Sequence, residues 1–350
     1  MTARKSIHFI INPISGTTKK SEFPRLIESN LDSRKFDCRM TMTAYAGQAA
    51  EIAGRAKEQQ TDVVVAVGGD GTINEVARSI VGSSTALGII PCGSGNGLAR
   101  HLMLPLDVKG AIGVINRCEI HDLDYGLIND IPFFCTCGMG FDAYVSKKFA
   151  EAGKRGPVTY VEQVFREGMR YKPETYIIED AQGNTVTYKA LLVSCANASQ
   201  YGNNAYIAPQ ASMHDELLDI IVMEPLDLIE TPQVIMDMMN KTLDKNPKIK
   251  TFCTNEITIH REAPGYIHYD GDPAMSGADV HIKIVNKGVR MIVNADADKT
   301  KRKPNAIQSA FSGIFNDFYL LREGVIRQSR YLQELHTFLV NKINTLQGQK

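Results

Sequence analysis

Two glycine-rich turns, each preceded by a short apolar run, contain the residues best suited to bind a ligand. Residues 63–67 are apolar and mostly β-branched, as in a buried parallel strand, and lead into the turn 68–71. Residues 87–90 lead through Pro91 into the turn 93–97. Free backbone N–H groups in such turns, and at the helix starts behind them, favour phosphate. The candidate binding residues of the two turns are Gly68, Gly69, Gly71, Thr72, Gly93, Ser94, Gly95 and Asn96.

Asp70 is the one charged residue inside the first turn. It would repel a phosphate unless a cation lay between them, which indicates Mg²⁺ or a carboxylate that acts on an attacking hydroxyl. The three glycines of this turn are expected to adopt a conformation that a side chain would strain. Thr72 and Glu75 fit a capping box, so a helix is predicted to begin there. Two tight strand–helix turns without a ligand are the structural alternative.

Several motifs then resemble one known family. GGDGT at 68–72, followed by NE, and PCGSGN at 91–96 resemble the diacylglycerol kinase catalytic domain, which bacterial lipid kinases and sphingosine kinases share. INPISG at 11–16 resembles the first nucleotide loop of that family. Thr43 begins a stretch similar to its T…G-x-A element, in which Gln48 stands where His is commoner.

The resemblance extends over about residues 5–294 and leaves the last part of the chain outside. It implies an ATP- and Mg²⁺-dependent kinase that phosphorylates the hydroxyl of a lipid. Glu75 alternatively serves only the helix start, and Arg100 alternatively lies at the surface. The nucleotide contacts that the resemblance implies outside the two turns are Asn12, Pro13, Ser15, Gly16, Thr43, Asn74, Glu75 and Arg100.

The same resemblance assigns the catalytic acids. Asp70 is expected where the terminal phosphate, the metal and the acceptor hydroxyl meet, and Asp124 matches an aspartate of the same Mg²⁺–water network. Asp124 alternatively is a polar residue that ends a strand. Asp272 occupies the position of the Glu of the D-G-E motif, a proposed general base, but its side chain is one methylene shorter. Either the backbone compensates or Asp70 is the only base, and an ordinary D-G hairpin turn is the alternative for this motif.

A structural cation is implied at a second acidic stretch. Residues 214–219 resemble the D-G-x-L-D motif of the family, whose first Asp holds a cation together with nearby carbonyl groups. Asp215 takes that position here, so the expected metal ligands are Asp70, Asp124 and Asp215. Glu216 replaces the expected Gly and offers a further carboxylate.

The order of predicted elements gives the architecture. Strands and helices alternate over residues 5–125, which predicts a parallel α/β domain with helices on both faces of its sheet. Segments at 133–141, 174–179, 185–196, 217–223, 256–261, 266–270 and 280–285, several of them alternating, predict the strands of an antiparallel β-sandwich, and a helix is predicted over 146–170. The resemblance places the active site in the cleft between the two domains. The predicted domains are 1–126 for the α/β nucleotide-binding domain, 127–294 for the β-sandwich lipid domain and 295–350 for a helical C-terminal extension.

The composition of the chain argues against several classes of protein. The chain has 350 residues, and Lys plus Arg equals Asp plus Glu at 39 each, so no global charge favours nucleic acid. No apolar run is long enough to cross a membrane, and the N-terminus has no signal-peptide pattern, so a cytoplasmic protein is expected. Seven Cys without a C-x-x-C pair are expected to be buried thiols.

The predicted extension suggests partners. Basic residues at 299–303 precede two segments with apolar residues at helical spacing, at 307–318 and 332–346. One hypothesis is peripheral binding to an anionic membrane surface, on the inner face of the cell membrane. The other is packing on the body of the protein or between protomers of a homo-oligomer.

Three functions are compatible with these patterns. The first is an ATP-dependent lipid kinase, with diacylglycerol or a sphingoid long-chain base as acceptor; the loop GSGNGLARHL is closer to the sphingosine kinase form. Residues expected to line its acyl slot, with a core position as the alternative, are Met139, Tyr144, Phe149, Val161 and Phe165. The second is a kinase of a soluble nucleotide, such as NAD kinase, which shares GGDGT. The third is a non-catalytic regulator that binds nucleotide or lipid, which the departures at Gln48 and Asp272 would allow.

Overall fold

The computed structural model describes residues 3–15, 22–152, 171–227 and 230–297. Its N-terminal half contains a parallel sheet in the order β2-β1-β3-β4, in which β1, β3 and β4 are largely buried between helices and the edge strand β2 is mostly exposed. The strands are β1 (Lys5–Ile11), β2 (Phe36–Met42), β3 (Val63–Gly68) and β4 (Ala86–Pro91). The helices are α1 (Phe23–Asn30), α2 (Gln48–Glu58), α3 (Asp70–Ile80), α4 (Gly97–His101) and α5 (Val108–Arg117).

The C-terminal half is antiparallel and rich in strands. The strands are β5 (Ile120–Ile128), β6 (Ile131–Phe133), β7 (Thr136–Gly140), β8 (Glu174–Asp180), β9 (Thr185–Ala190), β10 (Leu192–Ala196), β11 (Leu218–Met223), β12 (Ile249–Thr254), β13 (Glu256–Arg261), β14 (Gly265–Tyr269), β15 (Asp272–Ser276) and β16 (Asp279–Ile292). The helices are α6 (Phe141–Ala152), α7 (Glu230–Asn240) and a 3₁₀ turn (Leu243–Lys245).

Two sheets pack against each other in this half. The second sheet has the order β12-β11-β10-β7-β14-β15, and its inner face meets β8, β13 and β16 of the first. Side chains from both sheets, such as Met139 and Ile267 on one side and Ile259 and Ile282 on the other, form a common buried core. Alternating inward side chains of this kind are typical of a β-sandwich. The predicted fold class is therefore confirmed for the described residues.

Strand β16 joins the two halves. It pairs antiparallel with β13 and β5, and near its end Met291 pairs in parallel with Leu87 of β4. A register shift between Val285 and Val289 bends the strand from one half to the other. The ten-stranded first sheet therefore runs through both halves. The boundaries at 126/127 and 294/295 stay predictions, and β5 crosses the first of them.

Several predicted elements differ from the structure. The strand predicted at 185–196 divides at Leu191 into β9 and β10, which belong to different sheets. Strands β12 and β15 and helix α7 were not predicted. The helix predicted over 146–170 corresponds to α6, which begins earlier, at Phe141, and residues 153–170 lie outside the described residues. The predicted extension after residue 297 lies outside them as well.

The seven cysteines are all free, and five of them are at least half-buried, as expected for thiols. Cys38 and Cys253 are exposed, so the expectation of buried thiols is wrong for these two. Among the described helices, none combines the length and the apolar character needed to cross a membrane.

Candidate active site

The carboxyl ends of the parallel strands meet at one edge, as the order of elements predicts. Asn12, just after β1, donates a hydrogen bond from Nδ2 to Oγ1 of Thr72 in α3, at 2.9 Å. The backbone N–H of Gly47, just before α2, donates to Oε1 of Glu75 at 3.1 Å. The loops after β1 and β2 are therefore both bound to the first turns of α3, where an anion would meet the helix N-terminus.

The capping-box prediction is wrong. Helix α3 begins at Asp70 rather than at Thr72, and its N-cap, Gly69, makes no side-chain cap bond. The side chains of Thr72 and Glu75 contact the neighbouring loops instead, so the two residues connect elements and do not stabilise the helix start. The signature was misleading because tertiary partners compete for the same polar groups.

Close contacts within and between the two turns explain why glycine occupies several of their positions. A Cβ on Gly93 would lie 2.7 Å from Cα of Gly69, and one on Gly68 would lie 2.6 Å from the side chain of Thr72. The expectation that a side chain would not fit this turn is confirmed for Gly68 and Gly69, where the cause is close contact and not positive φ. Gly71 differs from its neighbours, since a Cβ there would meet no atom within 4 Å.

Asp70 joins the two glycine turns. Its Oδ2 accepts a hydrogen bond from the backbone N–H of Asn96 at 2.8 Å, and its Oδ1 accepts one from Gly97 at 2.7 Å. A Cβ on Gly95 would lie 2.7 Å from Oδ2. Two backbone amides of the second turn that were expected to bind phosphate therefore bind the carboxylate of Asp70 instead. The interpretation of this turn as a simple anion site is corrected accordingly. Burial raises the pKa of Asp70, while these amides and the positive charge of Arg100 oppose the shift.

Arg100 is buried and connects the second turn to the β-rich half. Its Nε donates to the carbonyl of Gly95 at 2.9 Å, and one terminal N–H donates to Oδ1 of Asn204 at 3.1 Å. Gly202 has φ +117°, and a Cβ there would lie 3.0 Å from Cα of Gly95. The surface alternative for Arg100 is wrong, because the loop 197–206, which contains Asn204 and Gly202, closes over it.

The D-G-D motif forms a hairpin turn. Asp270 and Gly271 have φ of +53° and +86°, as in a type I′ turn between β14 and β15. The buried carboxylate of Asp270 accepts hydrogen bonds from the backbone N–H groups of 134–136, at 2.7 to 3.2 Å. Asp272, the expected base, lies at the start of β15, and its carboxylate is 3.0 Å from a guanidinium nitrogen of Arg78 in α3. No sequence pattern indicated Arg78.

Asp124 does not line the cavity that contains Asp70. Its Oδ2 accepts from the backbone N–H of Glu216 at 2.9 Å, and its Oδ1 accepts from that of Lys287 at 2.8 Å. The structure therefore brings Asp124 to the 214–219 stretch and to the bend of β16, and not to Asp70. Asp215 accepts from Leu217 at 3.2 Å in the same stretch.

The expected metal ligands form two separate groups, one at Asp70 and one at Asp124 with Asp215. Among the described residues, no cluster of three or more His, Cys, Asp or Glu has the arrangement of a metal site. Mg²⁺ is commonly held by one or two carboxylates, water and substrate phosphates.

The remaining nucleotide candidates lie around the same edge. Ser15 is buried, and its hydroxyl donates to the carbonyl of Asn12 at 3.1 Å, while Pro13 is exposed. Thr43 is buried and donates its N–H to Ile11, and Ser94 is exposed at the tip of the second turn. Asn96 adopts positive φ, with its Oδ1 bound to the N–H of Gly93. Gly16 lies outside the described residues.

A cavity of about 1190 Å³ opens from Asp70 into the β-rich half. Asp70, Asn74 and Gly97 contribute to its wall from the α/β side. On the other side, it lies between the outer face of the second sheet and helices α6 and α7. Apolar side chains form most of that part of the wall, among them Val145, Leu192, Ile207, Met223, Val234 and Ile235.

Of the residues expected to line an acyl slot, Phe149 does so. Met139 lies in the core between the sheets, and Tyr144 packs its ring against Tyr171. Val161 and Phe165 lie outside the described residues. No sequence pattern indicated that α7 would form a wall of the cavity, because its apolar residues are also typical of a core helix.

An acid–histidine pair in the cavity wall was also missed. Nε2 of His268 lies 2.9 Å from Oδ2 of Asp142, which accepts a further hydrogen bond from the hydroxyl of Tyr201 at 3.0 Å. All three side chains line the cavity. A histidine between apolar and aromatic residues of a strand, as in YIHYD, is the signal for His268 that the sequence contained.

Comparison with known proteins places both halves of the chain in known families. Residues 6–128 match the model of the diacylglycerol kinase catalytic domain, and residues 135–293 match that of the YegS C-terminal NAD kinase beta sandwich-like domain. An uncharacterized protein from Synechocystis is 31% identical over 306 residues, which cover 82% of this chain and 70% of that protein. A diacylglycerol kinase from Staphylococcus saprophyticus is 27% identical over 279 residues, which cover 77% of this chain and 89% of that protein.

A solved structure of a diacylglycerol kinase from Bacillus anthracis has a TM-score of 0.66 at 19% identity, over 85% of this chain and all of that one, and shares the fold. These matches define a kinase built from two adjoining domains. The chain belongs to the diacylglycerol kinase catalytic domain family, and it is a lipid kinase.

We expect Asp70→Asn to lower the rate of phosphoryl transfer by about a hundredfold or more, because the end of the cavity at Asp70, called its head below, loses its negative charge. Asn keeps one acceptor oxygen, so one backbone N–H is left facing the amide NH2 group and the free energy of unfolding should fall by about 1–3 kcal/mol. Initial rates and thermal unfolding by circular dichroism measure the two effects. A wild-type rate in this variant would remove Asp70 from the mechanism.

Gly71→Ala separates ligand approach from folding. The structure has room for the methyl group, so the free energy of unfolding should stay constant or rise by up to about 1 kcal/mol. If phosphates approach the start of α3, the methyl group should weaken ATP binding by about tenfold or more. Gly54→Ala, in α2, is the matched control, since a Cβ there also meets nothing within 4 Å. Equal ATP affinity in both variants would contradict the prediction.

Asp219 makes stability depend on pH. Burial, and then the charge of Asp215, raise its pKa to about 6. A carboxyl group with a raised folded-state pKa stabilises the fold below its unfolded pKa, and that contribution is lost as pH rises through about 6. Asp219 is partly exposed, so we expect Asp219→Asn to be more stable than wild type by only about 1 kcal/mol at pH 7 and equal to it at pH 4. Urea unfolding at both pH values is the measurement, and a pH-independent difference would contradict the assignment.

Proposed function

We propose that this lipid kinase transfers the γ-phosphoryl group of ATP, with Mg²⁺, to the hydroxyl group of diacylglycerol or of a sphingoid long-chain base. The observation that carries the proposal is that Asp70 and a mostly apolar wall line the same cavity. Apolar pockets with a few polar groups at defined points are typical ligand sites. A soluble nucleotide would leave most of this apolar wall without a partner.

The residues at the head of the cavity fit a nucleotide phosphate and a metal ion. Gly71 offers space at the start of α3, and the first backbone N–H groups of a helix have no partner within the helix. Asp70 is the one carboxylate of this turn, which suits a cation that phosphates and water also hold. Mg²⁺ bound there would neutralise charge on the transferred group.

The protein's own residues then have three tasks. Asp70, fixed by Asn96 and Gly97, is oriented before any ligand binds and needs no rearrangement. Asn12, Asn74 and Glu75 surround the same edge and are proposed to contact the nucleoside. Arg100 links the turn to the loop 197–206, so nucleotide and lipid sites are connected by buried contacts.

Labelled ATP, Mg²⁺ and a panel of acceptors test the proposal. The panel contains diacylglycerol, a sphingoid base and NAD, and label is followed into the organic and aqueous phases. We expect label in an organic-extractable product. Label in NADP would support a soluble nucleotide kinase, and retained ATP binding without any labelled product would support a regulator.

Ile235→Asp tests the apolar wall. Ile235 lines the cavity from α7, and a carboxylate there would have to be desolvated against an acyl chain. We expect the KM for the lipid to rise by about tenfold or more, with the KM for ATP unchanged. Met236→Asp is the matched control, because Met236 is also half-buried on α7 but does not line the cavity. Similar kinetics in the two variants would argue against an acyl site here.

A further inference from the structure

Arg78 lies on α3, the helix that begins at Asp70, and its guanidinium group reaches the β-rich half of the molecule. Its Nε donates a hydrogen bond to the carbonyl of Pro132 in β6 at 3.1 Å, and Nη2 donates one to the carbonyl of Tyr269 at 3.4 Å. Its Nη1 donates to Oδ2 of Asp272 at 3.0 Å, and the guanidinium carbon lies 4.6 Å from the centre of the Tyr269 ring. One side chain therefore fastens α3 both to β6 and to the hairpin of β14 and β15.

The same hairpin directs Asp272 away from the cavity. His268 of β14 lines the cavity, whereas the next residue, Tyr269, packs against the core between the two sheets. Successive side chains of a strand point to opposite faces, and residues paired across an antiparallel ladder share a face. Asp272 pairs with Tyr269, so its side chain lies on the face opposite the cavity, which it does not line. Asp272 therefore lacks the position that a base for a hydroxyl group in the cavity requires.

Arg78 also supports the cavity wall through Asp270. Its Nη2 lies 3.6 Å from Oδ2 of Asp270, whose side chain is 3% exposed. Burial raises the pKa of Asp270, and the charge of Arg78 is the largest of the influences that lower it. The carboxylate in turn accepts hydrogen bonds from the backbone N–H groups of 134–136. Cys135 and Thr136 of this segment line the cavity beside Asp270, so the charge of Arg78 helps to hold this part of the wall.

Helix α3 connects this contact with the head of the cavity. Asp70, Asn74 and Arg78 are spaced four residues apart on one face of α3, over about 12 Å, and the first two line the cavity. Burial, and then the negative charges of Asp270 and Asp70, raise the pKa of the Cys135 thiol, so both carboxylates lie close to that residue. Arg78 therefore fixes the helix that carries Asp70 against the wall segment that contains Cys135.

We propose that Arg78 is the positioning residue that sets the distance between Asp70 and the β-rich wall of the cavity, and that Asp272 acts through Arg78 and not as a base. The inference rests on the proposed function. Misplacement of reacting groups by about 1 Å can lower a rate about a hundredfold, so a link between the two halves affects transfer without contact with either substrate. The ion pair with the half-exposed Asp272 contributes little by itself, and the buried contacts of Arg78 carry most of the effect.

Asp272→Asn distinguishes a base from a partner of Arg78. The remaining oxygen of Asn can still accept the hydrogen bond from Arg78, so we expect kcat/KM for the lipid to stay within about threefold of wild type. Loss of a general base would lower it by about a hundredfold or more. Initial rates with lipid and ATP varied separately are the measurement, and a hundredfold loss would overturn the proposal.

Arg78→Lys keeps a positive charge near Asp270, but one ammonium group cannot make all the contacts of the planar guanidinium. We expect kcat to fall by about tenfold while the KM for ATP stays within about twofold, because the helix moves relative to the wall and the nucleotide edge is unchanged. Arg78→Met also removes the charge and should lower kcat by about a hundredfold. Circular dichroism checks that each variant is folded, and if Arg78→Met is not, a wild-type kcat in Arg78→Lys still overturns the proposal.

A double-mutant cycle tests whether Asp272 acts through Arg78. Asp272→Ala should lower kcat/KM for the lipid by about threefold in the wild-type background and have no further effect in Arg78→Met, since the shared contact is already lost. An equal loss in both backgrounds would show that Asp272 acts independently and would contradict the proposal.

Arg290→Met is the matched control. Nε of Arg290 in β16 lies 3.3 Å from Oδ1 of Asp122, and Nη1 donates to the carbonyl of Ser84 at 2.6 Å, so this arginine also links separate elements. Neither Arg290 nor Asp122 lines the cavity, and this variant should keep wild-type kinetics. A loss as large as that in Arg78→Met would mean that any such link affects the rate, and the specific role of Arg78 would be refuted.

The wild-type enzyme decides the proposed function itself. If it phosphorylates no lipid, the proposed function fails, and the role of Arg78 fails with it. If it phosphorylates a lipid and both Arg78 variants have wild-type kinetics, only the role of Arg78 is refuted.

Discussion

The hydrogen bonds between the Asp70 carboxylate and the amides of Asn96 and Gly97 are the interaction on which the site depends. They hold two strand–helix turns together where the parallel strands end. The backbones must approach closely for these bonds to form, which excludes side chains at Gly93 and Gly95. The same approach leaves the carboxylate buried, so the residue proposed to act in phosphoryl transfer is also a structural bridge.

This bridge extends into the second half of the molecule. The carbonyl of Gly95 accepts hydrogen bonds from Arg100 and from the backbone of Asn203, and Gly202 packs directly on it. On the other side, Arg78 of α3 binds Asp272 and lies 3.6 Å from Asp270. Arg100 on α4 and Arg78 on α3 make these contacts, and each of these helices follows a glycine-rich turn. Helices α3 and α4, which follow the two glycine-rich turns, therefore hold the head of the cavity from both sides.

The sequence predicted the α/β half well because each strand there is short, apolar and followed by a helical pattern. The β-rich half was harder, since a segment such as 185–196 reads as one strand although Leu191 divides it between two sheets. Length alone does not reveal such a division. Strand β16 was predicted only over 280–285, because the bend after Val285 interrupts its alternation.

For the site, motif resemblance located Asp70 and the turns but not the partners of their side chains. Asp272 was assigned from its place in the motif, and only the fold reveals that Arg78 binds it. Asp124 and Asp70 look equivalent in sequence and lie in different environments, because backbone amides distant along the chain, at Glu216 and Lys287, bind Asp124. The pair of Asp142 and His268 is separated by more than a hundred residues, and no local pattern predicts it.

The path of β16 has a consequence for synthesis on the ribosome. The neighbour of β4 in the first sheet comes from residues 279–292, long after the other parallel strands have been made. Until that segment emerges, the nascent α/β half keeps an open strand edge of the kind that attracts other chains. The late strand thus closes the early half, and neither half reaches its final hydrogen bonding before translation of the other is nearly finished.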